Sequence, residues 1–168
     1  GDYPVARARH EESLALRREL DDKAGIANAL SNLGEVAEAQ ADFAAAYALH
    51  AAALRLQIEL GGRRGIAQGL ESLARVAAAD LAGDGARRAA RLWGVAEALR
   101  EALGTPAPPP ERAVLERAIA AARARLAPAT WAAAWAAGRA LSPDAASAWA
   151  LAGPGPAEPL AVEYETRR

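Results

Sequence analysis

The chain has two histidines, His10 and His50, which lie 40 residues apart. Imidazole nitrogens bind transition metals, so two such rings on neighbouring helices could share an ion. No carboxylate or third histidine joins them at the spacing of a metal site. Trp93 falls at a third equivalent position, which indicates a slot for a flat packed ring. We therefore predict that both histidines pack in the core, and we expect no metal and no other cofactor.

Three tryptophans in the second half, Trp131, Trp135 and Trp149, could clamp a ligand, because an indole offers a flat face and one N–H donor. Trp131 and Trp135 are one helical turn apart. In alanine-rich helices, however, large rings fill the core volume that alanine leaves. We predict this packing role for all three.

A basic cluster surrounds the loop near residue 80. Arginines of this kind could grip a phosphate or an acidic partner, since guanidinium forms paired hydrogen bonds with both. The alternative is a solvated face, and the sequence leaves the use of the cluster open. Its members are Arg63, Arg64, Arg87, Arg88 and Arg91.

Catalysis has little support in the sequence. Cysteine is absent, which excludes disulfides, thiolate metal sites and a cysteine nucleophile. The five serines lie in no nucleophile motif, and Ser142 is better explained as a helix cap. We predict that the chain is not an enzyme. These serines are Ser13, Ser31, Ser72, Ser142 and Ser147.

Composition and charge narrow the possible partners. The 168 residues carry a formal net charge of −1, so no global field recruits nucleic acid or an anionic membrane. The apolar fraction of 52% is mostly alanine, and no stretch reaches the length of a spanning helix. We expect a cytoplasmic protein that contacts neither nucleic acid nor membrane. Because methionine is absent and Gly1 falls inside a repeat, we also expect a fragment of a longer protein or a processed chain.

The helices that position these residues can be predicted from a 40-residue sequence unit that occurs twice over residues 1–80. Such self-similarity is typical of helical solenoids, in which each unit buries its apolar face against the next. Helix propensity is high and strand patterns are missing. The equivalent pairs include Asp2 and Asp42, Ala6 and Ala46, His10 and His50, Leu14 and Leu54, Leu30 and Leu70, and Leu33 and Leu73.

The apolar spacing predicts helices over residues 3–20, 23–39, 43–60 and 63–80. Asp2, Asp22 and Asp42 are predicted N-caps, and Gly61-Gly62 should end the third helix in a left-handed turn. A third half-unit then follows, and Asp84 is predicted to be the N-cap of its helix.

Prolines interrupt the repeat after this half-unit, because they cannot sit inside a helix. We therefore predict repeats over residues 1–104 (about two and a half units), a proline-rich connector over 105–110 and a helical cap over 111–151. Residues 152–168 are predicted to be a flexible tail. Within the cap, one helix covers 111–127, Pro128 opens the next, and Ser142 caps the last.

The pairing of a leucine with a small residue (Leu33-Gly34, Leu73-Ala74), followed by Asp42, Phe43 and Ala46, resembles tetratricopeptide repeats. Their usual period is about 34 residues. The segment from Gly25 to Val36 resembles the longer repeats of kinesin light chains and of signal-transduction ATPases. The predicted fold is therefore all-α, a tetratricopeptide-like solenoid of antiparallel helix pairs with a C-terminal helical cap.

Residues 91–151 resemble the C-terminal end of bacterial LuxR-type and related transcriptional regulators. In those proteins such repeats follow an NTPase core. The resemblance implies a sensor or protein-contact module and carries over no catalytic residue, because the phosphate-binding motif of an NTPase is absent from the sequence. No DNA-reading helix-turn-helix is recognisable either.

In this family the first helix of each pair lines the concave surface, which here implies the second and fourth predicted helices. The side-chain amides of Asn28 and Asn32 could form hydrogen bonds with an extended peptide backbone. The alternative is a solvent-facing stripe without function. We predict a non-catalytic module that binds a protein or ligand, or other domains of its own full-length chain. A homo-oligomerisation module and a stand-alone peptide adaptor are the alternatives. The predicted binding residues are Asn28, Ser31, Asn32, Glu35 and Glu38, then Gln68, Glu71, Ser72 and Arg75.

Overall fold

A computed structural model describes residues 2–80 and 84–153, which form eight α-helices and, within these ranges, no strand. Helices that follow one another through the first five pack side by side, so the predicted all-α repeat solenoid is confirmed. Most of the predicted tail, from residue 154 on, lies outside the described residues. The helices are α1 (Tyr3–Glu19), α2 (Lys23–Ala39), α3 (Phe43–Glu59), α4 (Arg63–Ala79), α5 (Gly85–Leu103), α6 (Pro109–Arg123), α7 (Pro128–Arg139) and α8 (Pro143–Leu151).

The first four helices repeat every 20 residues. Each has 17 residues, and three residues separate neighbours within this set, so neighbours run antiparallel. Asp2, Asp22 and Asp42 each accept a hydrogen bond from the backbone N–H three residues on, at 3.3, 2.9 and 3.0 Å. These side chains satisfy an N–H that the helix itself leaves without a partner, and the three predicted N-caps are confirmed.

Each connection between these helices uses one residue in the left-handed region. Asp21, Ala41 and Gly61 have φ of 50°, 59° and 65°. Gly61 was predicted for this role, because glycine has no Cβ to clash there. The two non-glycine residues at equivalent positions were not predicted. The position in the repeat therefore imposes this conformation even where the side chain opposes it.

Three local predictions after α4 differ from the structure. Asp84 occupies the predicted N-cap position of α5, but its carboxylate lies 3.1 Å from Arg87 Nε and makes no capping bond to the backbone. The predicted connector over 105–110 is shorter, because α6 begins at Pro109 with Pro110 in its first turn. Proline is compatible with the first helical turn, whose N–H groups have no partner inside the helix. The same helix ends at Arg123, before the predicted residue 127.

The main core lies between α4, α5 and α7. Trp93 and Trp131 are buried in it, with ring centroids 6.3 Å apart, and Trp135 lies partly buried 5.7 Å from Trp131. Trp149 also packs against this cluster from α8. The predicted packing role of the three tryptophans of the cap is confirmed.

Helix α7 takes the place beside α5 that the next helix of a regular array would take. The two helices approach closely because glycines face backbone. A Cβ on Gly94 would lie 2.3 Å from the carbonyl oxygen of Trp135, and one on Gly138 would lie 2.0 Å from that of Arg91. Helix α6 makes few contacts with the repeats.

Helix α8 is held in place by hydrogen bonds that its C-terminal carbonyl groups accept. The Tyr47 hydroxyl and Arg88 Nη2 both donate to the Ala150 oxygen at 3.0 Å, and Arg88 also donates to the Trp149 oxygen at 3.3 Å. The Arg88 guanidinium lies 4.3 Å from the centre of the Trp149 ring. A cation at the C-terminal end of a helix stabilises the carbonyls that lack an internal partner. None of the helices in the described ranges is both long and apolar enough to cross a bilayer.

Candidate functional site

An open groove runs between α1 and α2, with a volume of about 370 Å³. We call it the α1–α2 groove. Its polar groups are a phenol, an imidazole, an amide and two carboxylates, so it can accept and donate hydrogen bonds and it favours positive charge. The lining residues are Asp2, Tyr3, Ala6 and His10 from the α1 side and Asn32, Glu35, Val36 and Ala39 from α2.

Helical spacing places these side chains together. Tyr3, Ala6 and His10 recur every three or four residues on α1, and so share one face. Asn32, Glu35 and Ala39 do the same on α2. The short connection between the two helices turns these faces toward a common edge.

The equivalent place in the second unit is filled. His50 lies where His10 lies in the first unit, and it is only 1% exposed. Its Nε2 is 2.6 Å from Glu38 Oε1, and its ring covers Gly34, where a Cβ would come within 2.5 Å of Cε1. The last turns of α2 therefore close this place against α3 and α4.

Arg75 completes the cluster around Glu38. Its Nε and Nη2 each donate to the Glu38 carboxylate at 3.1 Å, and Nη2 also donates to Ser72 Oγ at 3.2 Å. Burial alone raises the pKa of Glu38, but hydrogen bonds from His50 and Arg75 outweigh burial and hold that pKa below its ordinary value of 4.5. The carboxylate stays ionised and joins three helices.

The same contacts indicate which nitrogen of the His50 ring donates to Glu38. The ionised Glu38 needs a donor, which places the proton on Nε2. The Nδ1 atom is buried and has no hydrogen-bond partner among the described residues. The predicted core packing is confirmed for His50 and is wrong for His10, which is half-buried and lines the open groove. The expectation that no carboxylate joins His50 is wrong, because Glu38 comes from a different helix.

The structure divides the predicted binding residues into two groups. Asn28, Asn32 and Glu35 on α2 and Gln68 on α4 are exposed, and Ser31 is half-buried. Asn32 and Glu35 lie in the α1–α2 groove with His10 and Tyr3, which the prediction did not include. The equivalence of His10 and His50 in the 40-residue repeat is the sequence signal that could have pointed to this groove.

Glu71 and Ser72 were predicted as binding residues on the concave surface, but the structure buries both. Glu71 is buried because Arg100 of α5 reaches it, with Nε–Oε1 and Nη2–Oε2 distances of 2.5 and 2.8 Å. Ser72 is buried beside Arg75. Helix α4 has neighbours on both sides, so its polar residues face other helices.

The arginine cluster divides in the same way. Arg63 and Arg64 are exposed at the start of α4. Arg87 pairs with Asp84, while Arg88 holds the end of α8, and burial lowers the pKa of Arg88. The second pair therefore has a structural role within the chain. Among the described residues, no three side chains of histidine, aspartate or glutamate form a group that could hold a metal ion.

Comparison with protein-family models, with curated proteins and with solved structures gives no match for this chain.

Proposed function

We propose that this chain is a non-catalytic repeat module that binds a protein through the α1–α2 groove. One observation carries the proposal: the α1–α2 groove presents polar side chains, among them Asn32 and Glu35, on a surface of the repeat that α2 covers in the second unit. His50 is buried under Glu38 and Gly34, whereas His10 borders an open groove. A surface that the repeat is built to cover favours a protein segment over a small molecule.

The biological setting of the proposal follows from the resemblance of residues 91–151. We propose the C-terminal sensor or scaffold part of a bacterial LuxR-type transcriptional regulator, built from tetratricopeptide-like repeats and acting in the cytoplasm. A partner that docks in the groove would then either engage the other domains of the regulator or release them. Co-purification of this chain with the NTPase part of such a regulator tests the setting, and failure to bind removes it.

A peptide-display screen against the chain tests the binding site itself. We expect selected peptides to lose about tenfold or more in affinity when Asn32→Ala and Glu35→Ala are introduced together, a change typical of contact residues at an interface. Glu116→Ala on the exposed face of α6 is the matched control and should change nothing. Binders that are indifferent to Asn32 and Glu35 would contradict the proposal.

Homo-oligomerisation is a second candidate, and exposed apolar residues of α1 favour it. Leu16 and Leu20 are 55% and 78% exposed, and Val5 is exposed as well. Exposed apolar side chains grouped on one helix are a common contact between copies. Light scattering at rising concentration tests this candidate. A monomer at high concentration excludes it, and a dimer that Leu20→Lys dissociates supports it.

A further inference from the structure

We propose that α6 is an internal ligand of the repeat array. It occupies a helix-binding site on α4 and α5, opens without the other helices, and competes there with an amphipathic helix of a partner protein. The site is separate from the α1–α2 groove, so it can exist whether or not that groove binds a protein. The place of α6 in the array, its shallow burial and the contacts at its ends support this role.

The array continues past α5 without α6. Helix α7 packs beside α5, where the two backbones approach each other at Gly94 and Gly138. Helix α6, which lies between them in the sequence, packs instead against α4 and α5. A helix inserted in this way can leave its place while the packing between α5 and α7 stays intact. Segments of this kind open locally at a lower free energy than the core helices.

The burial of α6 is shallow. All 15 of its residues are described, and of these Ala122 alone is buried. Leu115, Ala118 and Ile119 pack partly buried against the main core, while Val114 is 49% exposed. The packed side chains recur every three or four positions and form one narrow stripe. Since a short helix depends on the packing of its apolar face, so narrow a stripe holds α6 weakly.

The burial of α5 shows which surface α6 covers. Leu99 is 5% exposed, whereas its equivalent in α3, Leu56, is half-buried. Leu103 packs partly buried against the main core, whereas its equivalent, Leu60, is 45% exposed. Because α4 lies beside α3 as α7 lies beside α5, α6 accounts for the difference. Without α6 this apolar strip would be open, and such a strip on a pair of helices accepts an amphipathic helix.

Polar contacts at the two ends of α6 add charge to the shape of the site. Just after the C-terminal end of α6, the Arg125 guanidinium donates to the backbone oxygens of Ala78 and Asp80 at the end of α4. In its first turn, the carboxylate of Glu111 interacts electrostatically with the Arg100 guanidinium. A competing helix therefore needs the apolar stripe of α6 and an acidic residue in its first turn.

Hydrogen–deuterium exchange of the intact chain tests whether α6 opens on its own. We expect the amides of α6 to exchange about 100-fold faster or more than those in the middle of α5 and α7. Their exchange should also depend less on urea, because local opening exposes little surface. Equal protection of the three helices, with the same dependence on urea, would refute the proposal. This measurement needs no variant.

A helical peptide added in trans tests the site. The labelled peptide copies residues 108–127 and is stapled through Ala113 and Arg117, which are exposed and lie one turn apart. In the chain, Leu115→Ser with Ile119→Ser removes the two largest side chains of the stripe. Fluorescence anisotropy should show that the peptide binds this double variant at least about tenfold more tightly than the unsubstituted chain, because the competing helix of the same molecule is weakened.

Controls use the same residues. The peptide with both serine substitutions should bind neither protein, and Glu111→Lys in the peptide should weaken binding about three- to fivefold, because it reverses the charge near Arg100. Arg125→Ala is a second, exposed variant of the chain that loosens one end of α6, and it should strengthen binding of the peptide in the same way. Equal affinity for the variants and the unsubstituted chain would show that α6 does not compete. No binding to variants that are folded by circular dichroism would refute the helix-binding site.

Discussion

Glu71 of α4 and Arg100 of α5 form a buried, two-point ion pair, with Oε1–Nε and Oε2–Nη2 distances of 2.5 and 2.8 Å. Glu71 and Arg100 are 7% and 8% exposed. The hydrogen bonds to Glu71 raise the pKa of Arg100 above its ordinary value despite burial. Arg100 Nη1 also donates to the Thr105 oxygen, so the pair connects α4 to the segment that leads into α6.

Removing one member of this pair should destabilise the chain strongly. Glu71→Leu leaves a buried guanidinium without its anion, and we expect the free energy of unfolding to fall by about 3–5 kcal/mol. The double variant Glu71→Leu with Arg100→Met removes both charges and should recover most of that loss. Urea denaturation followed by circular dichroism measures all three proteins. A double variant as unstable as the single one would contradict this account.

Relief of left-handed strain should stabilise the second connection. Ala41 has a φ of 59°, where its Cβ crowds the backbone, so Ala41→Gly should raise the free energy of unfolding by about 1 kcal/mol. Gly61→Ala at the equivalent position is the matched opposite and should lower it by a similar amount. Thermal and urea denaturation provide the values. The same sign for both variants would refute the argument.

Local signals explain which parts of the fold could be predicted from the sequence. The bounds of α1 to α4 were predicted to within one residue, because aspartate caps and apolar spacing act within a few residues of the helix they define. The left-handed Ala41 could not be predicted, since alanine has no preference for that region. Its position in the 20-residue register is what decides its conformation.

The candidate site was only half predictable for a related reason. Asn32 and Glu35 were found because they lie off the apolar stripe of one helix. The burial of Glu71 was missed because its partner lies 29 residues away on α5, where the repeat register has slipped. Contacts between helices depend on packing, which spacing within one helix does not report.

The stability of the chain should fall in acid partly through Glu38. Because the pKa of this carboxyl is lower in the folded chain than its ordinary value of 4.5, its stabilising effect is complete above that value and is lost as pH falls through the folded pKa. Glu38→Gln should therefore lower stability near pH 7 by about 1–3 kcal/mol, the range for hydrogen bonds to a charged group, and less at pH 3. The exposed Glu116→Gln is the control. A constant difference between pH 7 and pH 3 would contradict the role of Glu38.

Helix α8 should loosen when its carbonyl contacts are removed. Arg88→Ala deletes two hydrogen bonds and the contact with the Trp149 ring, and we expect amides of α8 to exchange with deuterium about tenfold faster or more, since one charged hydrogen bond contributes about 1.5 kcal/mol or more. Tyr47→Phe removes one further bond to Ala150 and should act in the same direction, more weakly. Arg87→Ala is the control, because Arg87 pairs with Asp84 in the turn before α5. If Arg88→Ala leaves the exchange rate of the α8 amides unchanged, the contacts of Arg88 do not hold α8 in place.

The close approach of α5 and α7 should make Gly138 intolerant of any side chain. A Cβ there would lie 2.0 Å from the backbone oxygen of Arg91, which belongs to a helix and cannot move aside alone. Gly138→Ala should therefore force the two helices apart, and we expect a loss of about 1–3 kcal/mol, although alanine favours a helix more than glycine does. Ala137→Ser on the exposed face of the same helix is the control and should change stability little. Urea denaturation measures the loss, and the fluorescence of Trp131 and Trp135 reports the separation directly. A neutral or stabilising Gly138→Ala would show that α7 does not pack on α5 at this distance.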